Sequence, residues 1–182
     1  MPRLPVLKRE EMDAEQARVY DGVVKTTGRA GGGPSIAYAY APGLWEAVNH
    51  VSAYFDNHSS LSPQQVRMIA LVTVRHWNSA FPWAAQARFA LQAGVPAEVV
   101  EAINARQTPK FASKEDETLY GVAKEMLASG TLSDATFKAA QAALGNRKLV
   151  DAVGLAAQFT KTAFMANLGG AEAPADAPSK LK

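Results

Sequence analysis

Apolar residues recur at three- and four-residue steps along most of the chain, which is the spacing of one face of an α-helix. No segment shows the strict alternation that is typical of a strand. The pattern therefore predicts an all-α fold class. Helices are expected over about residues 11–25, 44–55, 63–74, 80–93, 96–105, 113–129, 133–144 and 146–168.

Two of these helices have clear starting signals. Ser62, Pro63 and Gln65 combine an N-cap serine, a proline at the first helical position and a glutamine at the capping-box position, which predicts a helix start. Pro82 lacks an amide hydrogen and is tolerated only in a first turn, so the next helix should begin near Ala80. Gly94 is the expected glycine that closes this helix.

The chain has 182 residues, of which 48% are hydrophobic, and this is enough for one well-packed domain. Residues 1–34 are expected to form an N-terminal arm and helix, followed by an irregular Gly-rich connection over residues 31–34. The main domain is expected over residues 35–168. Residues 169–182, rich in alanine, proline and charge, are expected to be a flexible tail.

Charge and hydropathy narrow the function classes. The 19 basic residues nearly balance the 17 acidic residues and form no long run, so neither nucleic acid nor an anionic membrane is an expected partner. A small-molecule partner is expected instead. Residues 1–5 lack the apolar segment of a signal peptide, and no apolar run reaches membrane-spanning length, so we expect a cytoplasmic protein.

The most specific motif runs from Arg75 to Val95 and resembles the carboxymuconolactone decarboxylase and alkyl hydroperoxidase D-like family. Its matching positions are Arg75, His76, Trp77, Trp83, Ala90, Gly94 and Val95. Two positions depart from the family pattern, because Pro82 stands where the family usually has Glu and Gln86 where it usually has His. The resemblance covers about residues 35–168.

The resemblance implies an all-helical bundle that assembles into a homotrimer or homohexamer, with the active site near a subunit boundary. It also implies chemistry on a lactone or small carboxylate without metal or organic cofactor. The chain has no cysteine. The thiol peroxidase activity of some family members is therefore excluded, since it needs a Cys-x-x-Cys pair.

A decarboxylase of this kind needs a group that binds an anion, and arginine does so through its bidentate fork. Arg75 and Arg67 are the candidates. They lie eight residues apart on one predicted helix and about 80° apart around it, so both can reach one pocket. The alternative is that each arginine caps a helix or forms a surface ion pair.

Proton transfer near neutral pH favours histidine, and the chain has three, His50, His58 and His76. His76 is the preferred catalytic candidate because it adjoins Arg75 and precedes the motif helix. His58, in a polar connection, is the second candidate. The alternative for His76 is a structural role at a helix end. No two histidines have the spacing of paired metal ligands on one helix face, so no metal site is predicted.

Two motif residues are candidate substrate-binding groups. Gln86 keeps the donor and acceptor of the family histidine but cannot transfer a proton near neutral pH. It either orients a ligand oxygen or is a hydrogen-bonded core residue. Trp83 either presents its indole N–H to a pocket or packs in the core.

Three functions from different classes remain open. The first is a cofactor-independent lyase or isomerase acting on a small carboxylate or lactone, with Arg75 and His76 as the catalytic pair. The second is a non-catalytic, oligomeric small-molecule-binding protein. The third, a metalloenzyme, would need the three histidines to converge.

Overall fold

The computed structural model describes residues 2–28, 30 and 32–182. Throughout these ranges the chain is helical and contains no β-strand, which confirms the predicted all-α class. A short 3-10 helix over Arg9–Glu11 comes first. The α-helices that follow are α1 (Ala14–Thr27), α2 (Ser35–Tyr38), α3 (Pro42–Asn57), α4 (Pro63–His76), α5 (Ala80–Gln92), α6 (Ala97–Asn104), α7 (Lys114–Ser129) and α8 (Asp134–Gly169).

The predicted start signals of α4 and α5 are confirmed. Ser62 accepts a hydrogen bond from the amide of Gln65, and the Gln65 side chain accepts one from the amide of Ser62. Pro82 is the third residue of α5, where its missing amide hydrogen has no helical partner. Gly94 follows that helix with a left-handed φ of 86°.

Helix α8 contains a break that the sequence also predicted. Gly145 adopts φ 71° and ψ 166°, so two helices meet there at an angle. The second of them ends one residue later than expected, because Gly170, rather than Gly169, takes the left-handed capping conformation. Gly169 packs closely against α2, and a Cβ there would lie 3.3 Å from the Cβ of Ile36.

Helix α4 is the centre of the bundle and packs against α5, α7 and α8. Ile69 and Leu71 on this helix, Trp83 on α5 and Leu119 on α7 are completely buried. A second apolar cluster joins α1 to α2 and α3 through residues such as Val19, Tyr38 and Trp45. A cavity lies between the two clusters.

The N-terminal region differs from expectation in two places. Helix α1 begins at Ala14 and not at Glu11, because Asp13 is the N-cap and forms a capping box with Gln16. The short helix α2 was not predicted. Gly32, Gly33 and Pro34 are irregular as expected, whereas Gly31 lies outside the described residues.

Residues 171–182 contain no helix, but they lie against the domain. The side chain of Ser179 is 7% exposed, and Leu181 packs against the main core. The expectation of a flexible tail rested on composition alone and took no account of the polar partners that the domain supplies. The division of the chain at residues 34 and 168 stays a prediction. None of the helices in the described ranges has the length and apolar character needed to cross a membrane.

Candidate functional site

A cavity between the helices, here called the central cavity, has a volume of about 610 Å³. Helices α1, α3, α4, α5 and α8 contribute to its wall, together with α2 and residues of the tail. The wall is mainly apolar and includes six aromatic side chains: Tyr38, Trp45, Phe55, Phe81, Phe89 and Phe159. Its size is typical of cavities that bind small molecules.

Two predicted substrate-binding residues, Arg67 and Gln86, meet in this wall. The Arg67 guanidinium donates from Nη1 to Oε1 of Gln86 over 3.3 Å, and from Nη2 to Oδ1 of Asp56 over 3.0 Å. It also lies 5.4 Å from the centre of the Phe89 ring. The guanidinium is therefore oriented by partners from α3 and α5 on the cavity wall.

Arg75, the other predicted anion-binding residue, does not line the central cavity. It is 7% exposed, and three guanidinium nitrogens already have partners within the protein. Nε donates to the main-chain oxygen of Asn104 over 2.7 Å, Nη1 to Oδ1 of Asn78 over 2.6 Å, and Nη2 to the main-chain oxygen of Lys182 over 3.0 Å. Burial, and then the charge of Arg106, lowers the pKa of Arg75 from its usual value. Its contacts in the structure join three segments of the chain.

His76, the preferred catalytic histidine, also lies outside the cavity wall. Its ring is partly buried and meets the Trp77 ring edge-on at a centroid distance of 4.7 Å. Burial, and then the charge of Arg106, lowers the pKa of His76 below its usual value of 6.5. The neutral form is therefore favoured at neutral pH. Its position at the last residue of α4 agrees with the structural alternative.

The other histidines are exposed. His58 caps the end of α3 and lines a separate, smaller cavity of about 260 Å³, whose wall also contains Asp56 and Arg67. The structure does not bring His58 and His76 into one cavity. In the part of the chain that is described, no group of three histidine or acidic side chains could hold a metal ion. The arrangement that a histidine-dependent metalloenzyme would need is thus absent from these residues.

Trp83 and Pro82 occupy the buried side of α5. The Trp83 ring is completely buried, is not part of the cavity wall, and donates from Nε1 to the Ser179 hydroxyl over 3.3 Å. Pro82 is buried as well, whereas its neighbour Phe81 faces the cavity. The core alternative for Trp83 is therefore the one that the structure adopts.

Several cavity residues were missed by the sequence reasoning. Tyr38 and Gln158 line the cavity, and each has a buried polar atom, Oη and Oε1 respectively, without a hydrogen-bond partner among the described residues. Burial raises the pKa of Tyr38 to about 12. A signal existed for Gln158, because it interrupts the apolar face of α8. Tyr38 follows the irregular Gly-rich segment and had no comparable signal.

Comparison with protein-family models gives no match, and comparison with curated protein sequences gives none either. Two solved structures are similar over nearly the whole chain. One, described as an alkylhydroperoxidase AhpD core and an uncharacterized peroxidase-related protein from Ralstonia eutropha JMP134, has a TM-score of 0.77 at 15% identity and covers 96% of this chain and 93% of its own. An uncharacterized peroxidase-related protein from Silicibacter sp. TM1040 has a TM-score of 0.74 at 18% identity, with coverages of 99% and 94%.

These identities are too low to transfer an activity, and the chain has no cysteine for thiol chemistry. They do establish the architecture, and they agree with the resemblance of the Arg75–Val95 motif. The chain has the all-helical fold of alkylhydroperoxidase AhpD-core proteins.

Proposed function

We propose that the protein binds a small, mainly apolar molecule with an oxygen-containing polar group in the central cavity. The observation that supports this most directly is a cavity of about 610 Å³ whose wall combines six aromatic side chains with polar ones such as Gln86 and Arg67. Cavities of this size and composition bury most of a small ligand, while the polar groups orient it.

Gln86 is the proposed contact for the ligand oxygen. Its Oε1 accepts from Arg67, and its Nε2 makes no hydrogen bond to another described residue. The amide is held in one orientation by Arg67 and keeps a donor for a carbonyl, carboxylate or hydroxyl oxygen. Gln86 thus serves as a positioning and binding group in place of an acid–base group.

Tyr38 and Gln158 are two further residues of the wall with polar atoms. Gln158 donates from Nε2 to the Ser52 hydroxyl over 2.9 Å, which leaves its Oε1 unpaired. An enclosed polar atom without a partner costs about 1–3 kcal/mol. A ligand that carries a hydroxyl or a similar group to these atoms would supply the missing partner and recover part of that cost.

A cofactor-independent lyase or isomerase is the second candidate, and one observation favours it. Asp56 is the only carboxylate among the described residues of the cavity wall, and it pairs with Arg67 over 3.0 Å. Arg67 would bind the anion of a small carboxylate or lactone, and Asp56 would transfer the proton. In this proposal Arg67 and Asp56 replace Arg75, His76 and His58.

The test is a thermal-shift screen of lactones, cyclic carboxylates, ketones and alcohols, because ligand binding to the folded state raises its apparent stability. Gln86→Leu should abolish the stabilisation, whereas Gln92→Leu, at an exposed position on the same helix, should not. A panel without any stabilisation, or shifts unchanged by Gln86→Leu, would contradict the binding proposal. Product formed by the wild type and lost in Asp56→Asn, with binding retained, would establish the enzymatic candidate.

A further inference from the structure

The tail side chain Ser179 lies in a polar recess on the surface formed by α4, α5 and α6, outside the central cavity. This tail recess is formed by Arg75, Trp83, Glu101 and Asn104. The Ser179 hydroxyl accepts from Nε1 of Trp83 over 3.3 Å and from Nδ2 of Asn104 over 3.2 Å. It donates to Oε1 of Glu101 over 2.9 Å. All the hydrogen-bonding capacity of one hydroxyl is therefore used.

Asn104 also binds the main chain of the tail at two points. Its Nδ2 donates to the main-chain oxygen of Lys180 over 2.8 Å, and its Oδ1 accepts from the amide of Lys182 over 3.1 Å. Arg75 adds a third contact, to the main-chain oxygen of Lys182. Because Asn104 is completely buried, its amide is fixed in the position that these contacts require.

The side chains of the docked segment alternate between the domain and the outside. Ala177, Ser179 and Leu181 are half-buried or buried, whereas Pro178, Lys180 and Lys182 are exposed. Pro178 and Ser179 form a bend, and the bend carries the Ser179 side chain into the recess. Leu181 packs against the main core, so the segment presents a serine and an apolar residue two positions apart to the domain.

The backbone beside the recess is unusual. Asn78 and Arg106 both have a positive φ, of 50° and 58°, which residues other than glycine seldom adopt. Oδ1 of Asn78 accepts from Arg75 over 2.6 Å and from Arg106 over 2.9 Å. Such conformations persist where surrounding contacts determine them, and they are frequent at binding sites.

We propose that the tail recess is a recognition site for a peptide segment of the pattern Ser-x-Leu. In the structure the chain's own residues 179–181 fill it, and the same segment from a second copy of the chain takes their place when they are withdrawn. Specificity comes from the Ser179 contacts and the Leu181 position, and the main-chain contacts of Asn104 fix the path of the segment from Lys180 to Lys182.

Exchange between copies is consistent with how the tail is joined to the domain. It leaves α8 at Gly170, whose φ is 66°, and continues for twelve residues without a helix. The tail contains one turn, closed by a hydrogen bond from the Ala177 amide to the main-chain oxygen of Pro174 over 3.2 Å, and this bond lies within the tail itself. The attached tail has an advantage over the same segment from a second copy, because a ligand on the same chain has a high effective concentration.

The test uses the full chain and a fluorescently labelled peptide, Asp-Ala-Pro-Ser-Lys-Leu-Lys, which corresponds to residues 176–182. Leu181→Asp should weaken docking of the attached tail. Lys180→Ala, the control, changes the net charge by the same amount at an exposed position. Hydrogen exchange at the Lys182 amide should be slow in the wild type and the control, and at least tenfold faster in Leu181→Asp.

Fluorescence anisotropy should show the peptide binding Leu181→Asp at least tenfold more tightly than the wild type or Lys180→Ala. The same peptide with alanine for its serine, or aspartate for its leucine, should bind at least tenfold more weakly. Ser179→Ala is a second variant for opening the recess and should have the same effect in milder form. The proposal is overturned if a released tail leaves a recess that takes no peptide, if the altered peptides bind equally well, or if the Lys182 amide is unprotected in the wild type.

Discussion

Arg75 donates from Nε to the main-chain oxygen of Asn104 over 2.7 Å, at the end of α6. This contact joins α4 to α6, and Asn104 in turn binds the tail. The arginine of the motif is therefore part of the framework of the domain in this structure. Arg67, two turns earlier on the same helix, is the arginine that lines the central cavity.

The two arginines should consequently respond differently to substitution. Arg75→Ala removes three hydrogen bonds and leaves the buried main-chain oxygen of Asn104 without its Arg75 donor, so we expect a loss of about 2–4 kcal/mol in the free energy of unfolding. Arg67→Ala should reduce ligand affinity and change that free energy by about 1 kcal/mol or less. Urea denaturation and ligand titration of both variants measure the difference. Loss of ligand binding in a folded Arg75→Ala protein, with Arg67→Ala unaffected, would restore the interpretation based on sequence.

Gly33 is a position where the addition of one methyl group should destabilise the protein. It has a φ of 59°, and a Cβ there would overlap the ring of Phe81 on the cavity wall. Gly33→Ala should lower the free energy of unfolding by about 1–3 kcal/mol, because both the backbone conformation and the contact are unfavourable. Gly121→Ala, within α7 and with no atom within 4 Å, should raise it by about 0.5–1 kcal/mol. If Gly33→Ala and Gly121→Ala had equal effects in thermal denaturation, the close contact between Phe81 and Gly33 would be contradicted.

Asp151 predicts a dependence of stability on pH. Burial by itself would raise the pKa of this carboxyl, but hydrogen bonds from the Ser60 amide and hydroxyl and from the Tyr54 hydroxyl, each of 2.7 Å, outweigh burial and lower it. A lowered pKa in the folded state stabilises the protein above the unfolded-state pKa of about 3.9, and this contribution is lost as pH falls through the folded-state pKa.

Urea denaturation at pH 7 and at about pH 3 tests this effect. The wild type should lose more stability on acidification than Asp151→Asn, which lacks the titrating carboxylate. Glu10→Gln, at an exposed position, should behave as the wild type does. Identical losses in the wild type and Asp151→Asn would mean that other carboxylates carry the acid sensitivity.

The two departures from the family motif lie one turn apart on α5. Pro82 and Gln86 are both buried, and they stand where the family usually has Glu and His. Restoring the His alone leaves the Glu absent. We expect that Gln86→His alone will not restore decarboxylation of carboxymuconolactone. Measurable turnover in that single variant, followed by ultraviolet absorbance, would show that the proline position is dispensable.

A homotrimer or homohexamer remains a prediction, and two adjacent helices suggest where subunits would meet. Large apolar side chains are exposed on α3, at Leu44, Val51 and Tyr54, and on the part of α8 that follows Gly145, at Val150, Phe164 and Leu168. Phe164→Lys should reduce the mass measured by light scattering, whereas Phe137→Lys, on the other part of α8, should not. A monomeric wild type at micromolar concentration would end this proposal.

The sequence alone determined most of the helices and several of their ends. Hydrophobic periodicity, the Ser62 capping box, Pro82 and Gly145 are local signals, because each depends on hydrogen bonds and backbone angles within a few residues. The Arg75–Val95 motif is also a short, local stretch of sequence. The fold that its resemblance implies agrees with the fold of the two solved structures.

Only the tertiary structure decided which polar residues face the cavity. Arg67 and Arg75 share a helix and were equal candidates by spacing, but their directions depend on the packing of α4 against five other helices. The tail shows the same limit. Its composition offers few apolar side chains, and it docks because Asn104, Trp83 and Glu101 converge from two helices to bind the Ser179 hydroxyl and main-chain groups of the tail. Such convergence depends on residues about 75–96 positions away in the sequence, which no local pattern reports.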